Sequence, residues 1–298
     1  MISKRRVEEA NAMFKLYGDM AAEKMGITLE SFHRYLRCTN EVQETKLPNV
    51  VLFDIETAPM EAWSFGVWKT NIHPDFIKNP WHMIGWSAKT LFDSTILSDI
   101  MTPGEAIARD DKRISESLWN VLNTADIVIG HNARKFDIPH ANTRFLIHGL
   151  PAPAPYKIVD TLDVLHKNFA FEHNKLDYVN RILGLVRKIE TEHGLWQQCM
   201  AGDPGALANM QEYNKGDVCA LEELYVAIRG WVKSHPNMNL YMEGDGNACA
   251  NCGNRELEYV GDYYADTRKF HSYRCKNCGA IVRSTTMAGR AHVRSVAR

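Results

Sequence analysis

Two acids close the stretch Asn49-Val50-Val51-Leu52-Phe53-Asp54-Ile55-Glu56-Thr57. Four apolar residues before them suit a short strand buried on both faces. Alternate residues of a strand share a side, so Asp54 and Glu56 set two carboxylates together while Ile55 points back to the core. Like charges so placed are costly unless a cation lies between them. A hard divalent ion, Mg2+ or Mn2+, suits carboxylate oxygens. The plainer alternative is a strand that leaves the core through two solvated acids. Two further acids stand among core-type neighbours: Asp137, before Ile138, and Asp217, before Val218. Four acids around one locus would make a two-metal site, with ions about 3.5–4 Å apart, able to polarise a phosphate and make hydroxide from water.

A second set of ligating residues lies near the C-terminus. Cys249-Ala-Asn-Cys252-Gly253 and Cys275-Lys-Asn-Cys278-Gly279 are two near-identical knuckles. Two such pairs complete a tetrahedral four-thiolate zinc site, closed and therefore structural. With strands expected at 256–260, 270–274 and 280–284, the segment 245–286 resembles a zinc ribbon, followed by a basic tail at 287–298. So small a segment buries little core, and zinc would supply folding energy. Cys38, Cys199 and Cys219 are scattered, which is not the pattern of a secreted disulfide framework, and a reducing cytoplasm is expected. From residue 247 onward nine Lys/Arg stand against four Asp/Glu in a chain of net charge −1. Arg268, Lys269, Arg274, Lys276, Arg283, Arg290, Arg294 and Arg298 favour nucleic-acid binding over protein contact here.

The elements that must position these residues follow from periodicity. Strands are expected at Val50–Glu56, Ala62–Thr70, Trp81–Leu91, Asp126–Gly130 and Tyr156–Val159, with 91–100 as a hairpin partner. Trp63, Trp68, Trp81 and Trp86 are expected mostly in the core, with one or two near the site able to stack on bases. Helices are expected at Asp111–Thr124, from Asp137 to about His148, and at Thr161–Phe169 and Lys175–Leu183. A long one runs from Asp203-Pro204 to about Val232, with a break at Asn214–Gly216. Strands, then alternation, then helices make an α/β domain over 49–235.

On these elements three motifs stand in order: Asp54-x-Glu56, Asn132-x-x-x-Phe136-Asp137 and Tyr213-x-x-x-Asp217. The chain thereby resembles the Tyr branch of the DEDD 3′–5′ exonucleases, of the ribonuclease-H-like fold. It is similar to family B DNA polymerase proofreading domains and their stand-alone bacterial and phage relatives. Glu212 occupies the position where the other branch carries His. Val159-Asp160-Thr161 and Lys175-Leu176-Asp177 also look like that group. The resemblance, over about 48–232, implies a mixed sheet flanked by helices and two ions, Mg2+ or Mn2+. Asp54, Glu56 and Asp217 would hold one ion, and Asp54 with Asp137 the other. Tyr213 would orient the attacking water, releasing nucleoside 5′-monophosphates. Asn132 and Phe136 are candidates for substrate contact, though Asn132 can equally hold a turn and Phe136 suits core packing. Asp160, Asp163 and Asp177 read as caps or surface acids, and His131 and Lys215 are near the site in sequence only. Two alternatives stay open: an endonuclease on the same fold, and a DNA-binding regulator with a nuclease-like scaffold.

The N-terminal residues 1–38 read as three short helices, Arg5–Tyr17, Met20–Met25 and Leu29–Cys38, the last burying Leu29, Phe32 and Leu36. Their second half resembles a helix-turn-helix, with Ser31, His33, Arg34 and Arg37 as DNA contacts. Polar residues 39–48 read as a linker. Hydrophobic content of 45% and charged content of 24% are those of a globular protein. Neither a signal peptide nor a membrane span is expected. The partner expected is nucleic acid, DNA more than RNA, in a bacterial cytoplasm.

Overall fold

The computed structural model describes residues 13, 18–25, 27–29, 32–33, 48–68, 70–186, 194–242, 246–294 and 296. They fall into two compact units, one of Met1–Leu47 with Tyr241–Glu243, the other of Pro48–Leu240 with Gly244–Arg298.

In the first unit a 3-10 turn, Gly18–Met20, leads into helix α1, Ala21–Lys24. Ala21, Ala22 and Phe32 are buried together, packed by Met13, Met25 and Ile27. Leu29, expected inside, is half exposed at the surface. Asp19, in the turn before α1, meets His33, with its Oδ1 2.7 Å from the imidazole Nε2. Ser31, Arg34 and Arg37 lie outside the described residues, as does most of the expected first and third helices and of the linker.

The second unit is built on a five-stranded mixed sheet. Its strands are β1 (Val50–Thr57), β4 (Met83–Thr90), β5 (Leu97–Ile100), β6 (Ile127–Gly130) and β7 (Lys157–Asp160). Between β1 and β4 lies a small ribbon of β2 (Glu61–Ala62) and β3 (Ile77–Asn79). The order is β5-β4-β1-β6-β7. β4 runs antiparallel to β1 and β5, while β6 runs parallel to β1 and β7. β1 is therefore central, which is why Val50 to Phe53 are all buried. Each such Val, Leu or Phe contributes roughly 1.5–3 kcal/mol.

Among the described residues seven helices complete this unit: α2 (Pro103–Ala108), α3 (Lys112–Leu122), α4 (Asp137–Ile147), α5 (Thr161–Asn168), α6 (Leu176–Leu183), α7 (Leu195–Met200) and α8 (Pro204–Ile228). α2 carries a full capping box, Thr102 with Glu105. α8 packs across β4 and β1. Lys89 of β4 pairs with Glu222 of α8 at 2.5 Å, and the same carboxylate accepts from Phe92 N at 2.8 Å.

Two expectations are corrected. The stretch read as a strand over Ala62–Thr70 is strand only at Glu61–Ala62, because its side chains find no sheet face. Trp63 and Trp68 are 68% and 89% exposed, whereas Trp86 is buried as expected. α8 does not break at Asn214–Gly216. A glycine in a helix interior costs only about 1 kcal/mol, and burial of Met210 before it and of Val218, Leu221 and Leu224 after it outweighs that.

After Ile228 a 3-10 turn, Arg229–Trp231, leads to a separate three-stranded sheet in the order β10-β9-β8. Its strands are β8 (Leu257–Tyr264), β9 (Arg268–Cys275) and β10 (Ile281–Arg290). The last strand thus runs into the stretch read as a tail. This small sheet is fastened to the end of α8. Buried Asn251 donates from Nδ2 to the carbonyls of Arg229 (2.9 Å) and Val232 (3.1 Å). Gly230 lies so close to the second knuckle that a Cβ would stand 2.3 Å from Cys278 O. No helix among the described residues is long and apolar enough to cross a membrane.

Candidate active site

Asp54 and Glu56 leave the sheet on one side of β1, where its pairing with β4 slips between Glu56 and Thr57. Such bulges re-aim side chains beside functional sites. α8 brings Asp217 to the same place. Carboxylate oxygens of Asp54, Glu56 and Asp217 all lie within 4.8 Å of one another, with Asp217 buried and the other two half-buried. Asp137 opens α4, is buried, and accepts from the backbone N–H of Ile55 at 3.3 Å. It is therefore a neighbour of the cluster, hung on the residue between Asp54 and Glu56.

Asn214 was missed from sequence. It is buried one helical turn before Asp217, and its Nδ2 donates to Asp54 Oδ2 at 2.7 Å. The signal was its spacing, since i and i+3 share a helix face. Tyr213 is half-buried, with its ring edge-on to Trp196 at 6.3 Å between centroids. Tyr213 and Asp54 line one cavity of about 590 Å3, together with His131, His166, His173 and Lys175. Behind the cluster the Cys199 thiol is pushed up to about 11, by burial first and then by the charges of Asp203 and Glu56.

The loop after β6 is shaped by its sequence. A Cβ on Gly130 would stand 2.5 Å from that of Ala133, so only glycine admits the turn. Asn132 takes a left-handed conformation, φ 72°, and its N–H donates to Asp160 Oδ1 at 2.9 Å. Asp160 also accepts from Arg134 N at 3.0 Å and caps α5 through Leu162 N at 3.0 Å. Its reading as a cap agrees with this geometry. Asn132 thus holds the turn while lining the cavity. Phe136 is not in the core. It lies at the surface, stacked at 4.2 Å on His140, which in turn meets Trp81 at 4.5 Å. His131 lies in the cavity wall, its ring nitrogens 2.9 Å from Thr161 Oγ1 and 3.0 Å from Asn174 O. Lys215 pairs with exposed Glu212 at 2.8 Å.

The four cysteines of the knuckles converge, with Sγ atoms within 4.8 Å of one another. Cys249 and Cys278 are 3.6 Å apart and Cys252 and Cys275 3.5 Å. A disulfide would need about 2.05 Å. Tetrahedral thiolates at a Zn–S distance of about 2.3 Å stand roughly 3.8 Å apart. The donor set and spacing therefore fit one four-coordinate ion. The Cys252 thiol is held below its ordinary value, chiefly by hydrogen bonding from Cys249. The three clustered carboxylates likewise fit hard divalent cations by donor chemistry.

A mixed sheet with a parallel half, flanked by helices and carrying acids at the end of its central strand, is the ribonuclease-H-like fold. The family model that matches the chain agrees with this class. The family model RNase_H_2, of the RNase_H superfamily, matches residues 96–229. That span holds Asp137, Tyr213 and Asp217 and begins after Asp54 and Glu56. The match supports a nuclease, a hydrolase acting on nucleic acid, and such nucleases use divalent metals. Among solved structures the chain is similar to the family B DNA polymerase from the hyperthermophilic archaeon Pyrobaculum calidifontis. Identity is 16% and the TM-score 0.46, covering 74% of this chain and 31% of the polymerase. The chain thus spans about a third of that protein's length. No curated protein matches it in sequence.

Proposed function

We propose that the chain is a metal-dependent 3′–5′ exonuclease. One observation carries the reading: Asp54, Glu56 and Asp217 converge within 4.8 Å, and Asp54 and Tyr213 open onto one cavity. In this reading Asp54, Glu56 and Asp217 hold one divalent ion, and Asp54 and Asp137 the second. When bound, the ions, Mg2+ or Mn2+, polarise the terminal phosphodiester, generate hydroxide and stabilise the leaving oxygen. Tyr213 orients the attacking water through its hydroxyl. Asn214 holds Asp54 in place by its hydrogen bond. The cavity beside them takes the 3′-terminal nucleotide, and Asn132 contributes to its wall. The four cysteines hold one structural Zn2+, since four thiolates leave no open position.

The test is release of nucleoside 5′-monophosphates from end-labelled single-stranded DNA, duplex DNA and RNA in Mg2+ or Mn2+. Release from linear strands, lost in Asp54→Ala and in the presence of a chelator, is the expected result. Cutting of closed circles would assign an endonuclease instead. Absence of hydrolysis from every substrate would overturn the enzyme reading.

A further inference from the structure

The C-terminal sheet sorts its charges by face. β9 is its middle strand, so alternate residues of β9 define the two faces. One face carries Lys269 and His271, with Asp262 of β8 alongside. Asp262 lies 3.2 Å from Lys269 Nζ and 2.9 Å from His271 Nδ1, so charge there is balanced locally. The opposite face carries Arg268, Phe270, Ser272 and Arg274. Arg290 stands beside Arg268, Arg283 beside Ser272, and Tyr263 beside Phe270. Glu258 stands opposite Arg274, but among the described residues no acid pairs with Arg268, Arg283 or Arg290. Arg268 and Arg290 are direct cross-strand neighbours, an arrangement of like charges that destabilises a sheet. Arg283 is held as a plane, its guanidinium 4.0 Å from the Phe270 ring centroid and 5.4 Å from that of Tyr263. These exposed arginines form a stripe of uncompensated positive charge backed by aromatic rings.

We propose that this arginine face is a second contact for the nucleic-acid strand whose 3′ end occupies the carboxylate centre, made through phosphates rather than bases. The proposal rests on the exonuclease reading for the position of that end. Charge complementarity selects the occupant: a planar guanidinium forks onto phosphate oxygens, and a polyanion relieves the Arg268–Arg290 repulsion. Anchorage sets the reach. Asn251 fastens the sheet at Arg229, and α8 rises about 18 Å from Asp217 to that point at about 1.5 Å per residue. A dinucleotide held at the carboxylate centre ends short of this anchor, whereas a longer strand can pass it. The arginine face would therefore favour long substrates and make their binding salt-sensitive.

The test uses the full chain carrying Asp54→Ala, so that the strand survives. Anisotropy of labelled single strands of DNA and of RNA, and of a DNA duplex, is followed against salt concentration. The Arg283→Gln/Arg290→Gln pair is compared with Lys269→Gln on the balanced face. Two lost phosphate contacts should flatten the log–log salt slope by about 1.4 on a single strand and about 1.8 on the duplex. Lys269→Gln should leave it unchanged. In the hydrolytic background the arginine pair should raise KM for a long strand severalfold and leave kcat unchanged. A slope unaltered by the arginine pair, with the melting temperature preserved, overturns the proposal, as does an equal effect from Lys269→Gln. Release of nucleoside 5′-monophosphates from long linear strands by the unaltered chain, measured alongside, keeps the two readings apart. Its presence with an unaltered slope defeats the arginine face alone. Its absence with a flattened slope defeats the exonuclease reading and leaves the face a nucleic-acid contact.

Discussion

Asn214 supports the carboxylate centre without supplying a charge of its own. Its amide donates to Asp54, while its Oδ1 has no protein partner among the described residues. Asn214→Ala should weaken Mg2+ or Mn2+ by about 10–100-fold, the usual effect of losing a partner that orients a ligand. Calorimetric metal titration and the Mg2+ dependence of hydrolysis both read this. An unchanged metal affinity would reduce Asn214 to packing. Tyr213→Phe should lower kcat by roughly 10²–10⁴-fold, within the range of a positioned proton-handling group, with metal affinity preserved. Asp54, Glu56 and Asp217 were legible from type and spacing, because acids beside apolar residues announce a need for a partner. Asn214 was not, since its role arises only where α8 crosses β1. Trp63 and Trp68 misled for the converse reason: aromatic composition announces burial, but no sheet face was there to receive them.

At the scale of elements, the end of α8 is joined to the cysteine knuckles, a feature sequence could not disclose because Gly230 and Asn251 look like ordinary turn residues. Their meaning comes from the approach of Cys278 O to Gly230 and from two carbonyls that share one amide. Asn251→Ala leaves both carbonyls buried without that donor, at roughly 1–3 kcal/mol for each unsatisfied group. Gly230→Ala forces the backbone of the second knuckle to move. Both variants should lower the melting temperature of the chain in thermal unfolding, and both should make metal release by a chelator faster. If Asn251→Ala melts with the unaltered protein, the joint contributes nothing to stability. Most element positions were readable from periodicity. α2 and α7 escaped notice because six residues give too few turns to show a pattern. The break expected in α8 failed because tertiary burial outweighs the low helix propensity of one glycine.

For the molecule as a whole, a buried ionic knot ties the sheet to its helices and sets a pH dependence distinct from that of the reaction. Asp111, fully buried, accepts from Met83 N of β4 at 2.8 Å, from Arg144 of α4 at 2.5 Å and from His148 at 2.6 Å. Burial alone would raise its carboxyl, but these hydrogen bonds and the Arg144 charge outweigh it and hold the group below its usual range. A carboxyl lowered in the folded state contributes stability above its unfolded value, about 3.9, and loses it as pH falls through the lower folded value. Beside it buried His82 is pushed below its usual value, chiefly by desolvation, so its protonation also opposes folding. Its contribution is present above about pH 6.5 and fades as pH falls through its lowered folded value. Stability should therefore decline in two steps on acidification, the first from His82 and the second from Asp111. Asp111→Asn leaves Arg144 buried without its counter-charge and should cost about 3–5 kcal/mol near neutral pH. It should also flatten the second step and, by removing the charge that holds His82 up against desolvation, deepen the first. Denaturant unfolding from pH 8 to pH 3 measures both. Equal stability of Asp111→Asn and the unaltered chain at pH 7, or an unflattened acid limb, would refute the role assigned to this knot.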